Sequence, residues 1–236
     1  MKVTAIKTNI FREGDSLLSF VQTYVPRIVE GSIIAITSKV VSLAEGRVVV
    51  HGTAQETKRF IEKESEMAIQ TKHVLLTVSQ GTLMANAGID ESNANGKLIL
   101  LPKDSFKSAK KLWNTLRKTY KVKKLGIIIT DSRTFPLRAG ATGIALGYAG
   151  FKGIKDYRGT PDIFGRLFKV SRANVADGIA AAAVLGMGEG REQTPLVVIE
   201  GVKGLTFTER VDRNEIKIPI EDDMYLPLFA QFFKKK

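Results

Sequence analysis

The chain has 236 residues, of which 44% are hydrophobic and 8% aromatic, and this composition favours a folded protein with a sizeable core over a disordered one. It contains no cysteine, which excludes disulfide bonds and thiolate metal sites, so a bound metal would have oxygen or histidine ligands. The formal net charge of +12 indicates anionic ligands, a nucleic-acid partner or simply a basic surface in contact with water.

The N-terminal part of the chain predicts both helices and strands. Charged and apolar residues alternate at the start, where a signal peptide would have an apolar run, and no segment approaches about 20 apolar residues. We therefore expect a cytoplasmic protein without a membrane span. The predicted elements are a helix at 16–24, a pair of strands within 32–50 around a turn at 44–46, and a helix from Thr53 to about Lys72 that begins with a capping box completed by Glu56.

Further strands are predicted where short apolar runs are rich in β-branched residues. These runs lie at 73–78, 97–101, 125–130 and 195–202. The segment 140–151 contains several glycines, which predicts a strand in a tight backbone environment. An alanine-rich helix is predicted at 174–187, and the three lysines at 234–236 predict a frayed tail.

The segment 103–124 contains nine basic residues and one acidic residue. Pro102 and Asp104 indicate the start of a helix, whose apolar residues would share the face opposite most of the lysines. An amphipathic helix exposed to water is the simpler interpretation. The alternative is an RNA-binding surface on which Trp113 and Tyr120 stack against bases.

Helices and strands are intermixed without a regular βαβ alternation, and neither a repeat nor a linker separates domains. We therefore expect an α+β fold, with irregular mixed α/β order, in one domain covering residues 1–236. Two intertwined subdomains remain an open alternative, because the sequence shows no boundary between them.

Two polar segments follow predicted strands at positions suited to binding. The loop 86–93 offers carboxylate and amide groups that could ligate a hard cation or hold phosphate oxygens, although an ordinary Asx turn has the same composition. Asp131 and Ser132 follow an apolar strand, which would place a rigid Mg²⁺ ligand, although a helix N-cap would also explain them.

Two later segments also have both a functional and a purely structural interpretation. In 186–191 the glycines would let the backbone approach a phosphate and Glu189 could complete a metal site, while a glycine after a helix is also a common C-cap. The arginines within 155–166 suit a phosphate or carboxylate, or else form a salt-bridged loop. No Walker-type Gly-x-x-x-x-Gly-Lys-Ser/Thr sequence is present, so the chain is not a P-loop NTPase.

Taken together, these segments resemble the coenzyme F420 γ-glutamyl ligase family (CofE-like). The matching pieces occur in the order found in that family and extend over residues 10–202. They are Thr37–Ser42 with Ala44–Arg47, Asn86–Asp90 with Ser92 and Asn93, Ile129–Asp131, Asp156–Gly159, and Val175–Asp177 running on to Met187–Gly190.

The resemblance implies an α+β fold of two closely packed lobes, an intertwined homodimer and a ligase that acts through an acyl phosphate. Its substrates would be L-glutamate, GTP and a carboxylate acceptor, with Mg²⁺ or Mn²⁺ and room for a monovalent cation, and neither nucleic acid nor membrane would be a partner. The implied metal ligands are Asp90, Asp131, Ser132 and Glu189. The residues implied to bind GTP are Ile10, Phe11, Arg12, Glu13, Ser38, Lys39, Asn93, Met187, Gly188, Gly190 and Arg191. The residues expected to act on the substrates are Asp131, Arg138 and Arg158.

The chain departs from the family pattern at two places. The family commonly has Asp-Thr-x-Gly-Arg-x-x-Arg where this chain has the residues 131–138, so Thr134 and Phe135 replace a glycine and an arginine. A lysine of the family would fall near Leu43. Lost cations beside retained metal ligands indicate a changed acceptor, for which a folate-type pterin is the natural candidate, while a deazaflavin precursor of coenzyme F420 stays open as the other acceptor. In other functional classes, the alternatives are a basic RNA-binding protein and a catalytically silent GTP sensor on the same fold.

Overall fold

The centre of the fold is a mixed five-stranded β-sheet, seen in a computed structural model that describes residues 1–50 and 53–228. In chain order the elements are β1 (Lys2–Ile6), α1 (Leu17–Tyr24), β2 (Ser32–Thr37), α2 (Ser38–Ala44), β3 (Val48–Val50), α3 (Ala54–Lys63), β4 (Met67–Gln70), β5 (Leu75–Ser79), β6 (Thr82–Ala85), β7 (Lys97–Ile99), α4 (Ser105–Thr119), β8 (Leu125–Thr134), β9 (Ala141–Ala149), β10 (Ile154–Asp156), β11 (Arg172–Asn174), α5 (Val175–Met187) and β12 (Leu196–Glu200). Short 3₁₀ helices lie at Asn86–Gly88 and Ile220–Asp222.

The order of strands in the central sheet is β1-β12-β2-β8-β9. β2 and β8 run parallel with Thr37 opposite Thr130, whereas the other neighbours in the sheet run antiparallel. The carboxyl end of β2 therefore lies beside Thr130 of β8, which continues for four more residues in pairing with β9.

Side chains that alternate along β2 build the core on both faces of the sheet. Ile34 and Ile36 pack with residues of α1, α2 and α4 on one face, while Ile33 and Ala35 pack with residues of α5 on the other. The sheet is thus covered by helices on both sides, and this explains why its central strands have almost uninterrupted apolar sequences.

Most of the predicted elements are confirmed. Ser16, Thr53, Asp104 and Asn174 each cap a helix through a side-chain oxygen, and Glu56 completes the predicted capping box. The strands predicted at 73–78, 97–101, 125–130, 140–151 and 195–202 correspond to β5, β7, β8, β9 and β12. The mixture of helices and sheets confirms the α+β class, while the extent of the domain stays a prediction.

Two strands lie within 32–50, as predicted, but the prediction that they form a pair is wrong. Residues 38–44 form α2 instead, because burial of Val40 and Val41 against the core outweighs the strand preference of β-branched residues. β3 pairs with β7 and does not pair with β2.

The helix predicted to run to about Lys72 is also wrong beyond Lys63. Met67 and Ile69 are half-buried and alternate with exposed neighbours, which is the two-residue period of a strand, and they belong to β4.

A smaller part of the molecule packs against β9, an edge strand of the main sheet. It consists of α3, the sheet β4-β5-β6 and the pair β3-β7. Met84 and Leu101 from this part form a buried cluster with Ile144 and Leu146 of β9. That this part and the main sheet are the two lobes expected from the family stays a prediction. The tail predicted at 234–236 lies outside the described residues, and no helix in the described ranges is long and apolar enough to cross a membrane.

The basic helix α4 confirms the amphipathic interpretation. Leu112, Trp113 and Leu116 are buried, and the indole N–H of Trp113 donates to the carbonyl of Leu125 at 2.8 Å. Lys110 lies 3.9 Å above the centre of the Trp113 ring. Tyr120 donates its hydroxyl to the Val25 carbonyl. The Trp113 ring is therefore covered, and the part of the RNA-binding alternative that needs Trp113 to stack on bases is wrong.

The predicted tight environment of β9 can be tested at Gly147. A β-carbon there would lie 2.4 Å from the carbonyl carbon of Ser105 and 2.5 Å from the nitrogen of Phe106, which are backbone atoms of α4. We expect Gly147→Ala to lower the free energy of unfolding by about 1–3 kcal/mol, because α4 must move away from the sheet. The matched control is Gly178→Ala on α5, where no atom lies within 4 Å and the change should stabilise the protein by about 0.5–1 kcal/mol. Urea unfolding measures both, and equal effects at the two positions would contradict the close packing of α4 on β9.

Candidate active site

The candidate site begins where β2 ends beside the parallel strand β8. Ser38 follows β2 and Asp131 follows Thr130, the register partner of Thr37. The Ser38 hydroxyl donates to Oδ1 of Asp131 at 2.9 Å. Asp131 lies within β8, which continues to Thr134, so the alternative that it is a helix N-cap is wrong.

Asp131 has an unusual electrostatic environment. Its carboxyl group lies among protein atoms, and this desolvation raises the pKa of Asp131 to about 6. The hydrogen bonds from the Ser38 hydroxyl and the Ser132 backbone N–H, and the charges of Lys39 and Arg133, lower this pKa but do not outweigh burial. The positive charges near Asp131 therefore do not fully offset the desolvation of its charged form, and a bound cation would stabilise that form further.

Lys39 links the end of β2 to the polar loop 86–93. Its Nζ lies 2.7 Å from Oδ2 of Asp90 and donates to the Ser92 hydroxyl at 2.7 Å. The Ser92 backbone N–H donates to Oδ1 of Asp90 at 2.6 Å, so the Asx turn is present. Desolvation raises the pKa of Asp90, but the hydrogen bonds from Lys39 and Ser92 outweigh it and the net pKa is lowered. Asp90 is thus an ionised carboxylate that already has a cation beside it.

The segment after α5 closes the other side of the site. α5 ends with Gly188 as its C-cap, at a φ of 77° that favours glycine, so the C-cap alternative is confirmed. The next residue, Glu189, accepts a hydrogen bond from the Ser132 hydroxyl at 2.7 Å. The Asn93 side-chain amide donates to the carbonyl of Gly190 at 3.3 Å, which joins this segment to the loop 86–93.

The proposed metal ligands therefore come from three segments that contact one another. Asp90, Asp131, Ser132 and Glu189 are all oxygen donors, as Mg²⁺ and Mn²⁺ require. Asp90 accepts from Lys39 and Ser92, Asp131 accepts from Ser38, and Glu189 accepts from Ser132. Within the described ranges no three acidic or histidine side chains come close enough to form a metal site, so ligation stays a prediction. The donor chemistry and the incompletely compensated Asp131 carboxylate fit a divalent cation.

The N-terminal residues predicted to bind GTP lie beside α2. Gly14 donates its backbone N–H to the Leu43 carbonyl at 3.1 Å, and Glu13 forms an ion pair with Lys97 at 2.6 Å. Ile10 and Arg12 are exposed. Phe11 is buried, with its ring 4.8 Å from that of Phe20. The Phe11 side chain therefore belongs to the core, and only its backbone remains available to a nucleotide.

The remaining predicted residues lie outside this cluster. Arg158 forms a two-pronged ion pair with Asp156, with a shortest distance of 2.6 Å, so the salt-bridged-loop alternative is confirmed there. Arg138 is exposed at the end of the β8-β9 hairpin. Met187 is buried and lies 3.7 Å from the Thr130 hydroxyl, whereas Arg191 is exposed. No described contact joins Arg138 or Arg158 to Asp131.

Arg133 is a residue of the site region that the sequence analysis missed. Its Nη1 donates to the Thr82 hydroxyl at 3.1 Å, while Nε and Nη2 are buried without a hydrogen-bond partner in the described structure. Burial lowers the pKa of Arg133, and the charges of Asp131 and Asp177 raise it. The available signal was its spacing, because residues two apart on a strand share a face and Arg133 lies two positions after Asp131.

Comparisons with known proteins agree with the motifs. A family model described as F420-0:Gamma-glutamyl ligase matches residues 5–201. The chain is 34% identical to the coenzyme F420:L-glutamate ligase of Archaeoglobus fulgidus over 87% of this chain and 90% of the relative. It is 35% identical to that of Methanopyrus kandleri over 81% and 83%, and 32% identical to that of Methanocaldococcus jannaschii over 95% and 96%. The resemblance drawn from the sequence motifs is thereby confirmed.

The raised pKa of Asp131 predicts how stability depends on pH. The folded value of about 6 lies above the ordinary value of 3.8, so the folded state binds the proton more tightly and wild-type protein loses stability as the pH rises between these values. At about 1.4 kcal/mol for each pH unit, the loss is up to about 3 kcal/mol. We expect Asp131→Asn, which can still accept from Ser38, to remove most of this loss.

The measurement is urea unfolding of wild type and variant at pH values from 4.5 to 7.5, with a chelator present. The control is Glu62→Gln, because Glu62 is exposed and its ion pair with Lys58 on the same helix is long, at 3.9 Å, and therefore weak. A constant stability difference between Asp131→Asn and wild type over this pH range would show that Asp131 titrates normally.

Proposed function

This chain belongs to the F420-0:Gamma-glutamyl ligase family, and on that premise we propose that it forms an amide bond between L-glutamate and a carboxylate acceptor, using GTP and a divalent metal ion. The observation that carries the proposal is the group of oxygen-bearing side chains where β2 ends beside β8, centred on Asp131. The names of the relatives favour a deazaflavin acceptor of the coenzyme F420 type. The departures at Thr134 and Phe135 keep a folate-type pterin as the second acceptor to test.

The proposed reaction has two steps. A carboxylate oxygen of the acceptor attacks the γ-phosphorus of GTP, and GDP leaves as the bond from that phosphorus to the bridging oxygen breaks. The amino nitrogen of L-glutamate then attacks the acyl carbon, loses a proton and displaces inorganic phosphate. Both steps gather negative charge in one place, so positioning and electrostatic neutralisation are the main tasks of the protein.

The residues of the site suit these tasks. Divalent cations held by Asp90, Asp131, Ser132 and Glu189 would neutralise phosphate oxygens. The ammonium group of Lys39 lies beside Asp90 in the same cluster, and its three N–H donors suit a phosphate. Ser38 orients Asp131, and Asn93 together with the backbone of residues 188–190 would contact the nucleotide. The basic balance of the chain favours such anionic substrates.

We also propose that the chain acts as a homodimer, as its family resemblance implies. The arm formed by β10, β11 and the residues between them projects large apolar side chains into solvent. Those most exposed are Ile163, Phe164, Leu167 and Val170. A patch of this kind is typical of a surface that is covered by a partner.

The activity prediction uses one variant inside the site and one outside it. We expect Asp131→Ala to lower the rate of glutamate transfer at least about 100-fold with little loss of stability, because the carboxylate acts on charge in the transition state while its burial costs stability. Glu62→Ala on α3 should keep wild-type activity. The measurement is phosphate release from GTP with L-glutamate, run with the deazaflavin precursor and with reduced folate, and product identified by mass.

The same assay tests the metal. A chelator should abolish turnover and either Mg²⁺ or Mn²⁺ should restore it. GTP binding without product on either acceptor would favour the sensor alternative, and wild-type turnover in Asp131→Ala would overturn the proposed role of that residue.

The dimer prediction is tested by changing the arm. We expect Phe164→Asp to convert the dimer to monomer, because a charge would be buried at the centre of an apolar contact. Leu185→Asp is the matched control, since Leu185 is a comparably exposed apolar residue on α5, outside the arm. Light scattering after gel filtration gives the mass of each variant, and a monomeric wild-type protein would contradict the prediction.

A further inference from the structure

The turn of the β8-β9 hairpin forms a pocket of about 510 Å³ to which no role has been given so far. One wall is the hairpin itself, and the other is Tyr225 from the C-terminal segment. That segment lies beyond residue 201, where the match to the family model ends. The lining residues are Phe135, Pro136, Arg138, Ala139, Gly140, Ala141, Thr142 and Tyr225.

The lining combines aromatic rings with an unpaired cation. Phe135 and Tyr225 are 47% and 43% exposed, although rings of this size are usually covered when they have a packing role. Arg138 makes no side-chain hydrogen bond or ion pair with any residue of the described ranges. Two rings and a guanidinium around an open pocket suit a flat aromatic ligand with a polar or anionic edge.

The pocket is connected to the candidate active site by one strand. Asp131 and Phe135 are four residues apart along β8 and its end, which corresponds to about 13 Å at the rise of an extended chain. A ligand with its ring in the pocket could reach Asp131 only through an extended arm of about that length. The proposed contacts of GTP lie on other segments around Asp131, at Lys39, Asn93 and residues 188–190. The pocket is therefore available to a different ligand.

Phe135 makes part of the pocket lining apolar. It stands where the family commonly has an arginine, so the hairpin presents an apolar ring at the position of a cation. Arg138 keeps the second arginine of the same motif, and one cation therefore remains at the pocket.

We propose that the pocket formed by Phe135, Arg138 and Tyr225 binds the planar heteroaromatic ring of the acceptor, and that an extended arm places the acceptor carboxylate at Asp131. This inference rests on the proposed ligase function and adds to it the location and chemical class of the acceptor. It assigns acceptor recognition to the hairpin and the C-terminal segment, and carboxylate activation to the place where β2 ends beside β8.

The test compares Phe135→Ala and Tyr225→Ala with the control Met224→Ala. Met224 is 81% exposed, neighbours Tyr225 and does not line the pocket. We expect the two pocket variants to raise the KM for the acceptor about tenfold or more and to leave the KM values for GTP and L-glutamate within about twofold, because each variant removes a ring on which the acceptor would stack. Phe135→Tyr should retain acceptor binding, since it keeps the ring.

A direct binding measurement separates this inference from the proposed reaction. The probes are the deazaflavin ring without its carboxylate arm and pterin without its glutamate arm, titrated against the full chain by their fluorescence. Binding that weakens about tenfold in Tyr225→Ala supports the pocket, even if wild-type protein forms no product. If wild-type protein forms product while both pocket variants keep an unchanged acceptor KM and ring affinity, the pocket assignment is wrong and the ligase function stands.

Discussion

The parallel pairing of β2 and β8 is the constraint on which the candidate site depends. Because Thr37 and Thr130 are register partners, the residues that follow them must lie side by side, and the hydrogen bond from Ser38 to Asp131 results from this register. A slip of one residue would turn Asp131 to the other face of the sheet, towards α5. The buried isoleucines of both strands prevent that slip, so the same residues that build the core also fix the position of the carboxylate.

Two carboxylates of the site have opposite electrostatic character. For Asp90 the hydrogen bonds from Lys39 and Ser92 outweigh desolvation, so its pKa is lowered. For Asp131 desolvation outweighs the hydrogen bonds and nearby charges, so its pKa is raised. A cation added to this site would therefore stabilise Asp131 more than Asp90. Lys39 forms an ion pair with Asp90, and its charge also lowers the pKa of Asp131. The proposed binding of metal and the proposed binding of phosphate would therefore be coupled through this lysine.

The sequence predicted the elements whose signal is local and failed where tertiary packing decides. Capping residues marked the starts of the helices, and apolar runs marked the central strands, whereas α2 was missed because its valines prefer strands until the core buries them. Motif resemblance implied that Asp90, Asp131 and Glu189 act together, which stays a prediction, and the contacts that connect their segments join residues far apart in the chain, on which spacing alone contains no information. Arg133 was missed for the same reason, since its partner Thr82 lies on another strand.

The roles proposed along β8 would allow this chain to keep the chemistry of its family while its acceptor changes. Asp131 accepts a hydrogen bond from the buried Ser38 beside the end of β2, and the Ser132 hydroxyl donates to Glu189 of the segment after α5. Beyond Thr134 the chain leaves the sheet, and Phe135 and Arg138 lie in the turn of the hairpin and line a pocket with Tyr225 of the C-terminal segment. Residues in such a turn can change with small cost to folding. Variation in acceptor recognition is therefore expected at the hairpin, while the activation of the carboxylate stays fixed at the sheet.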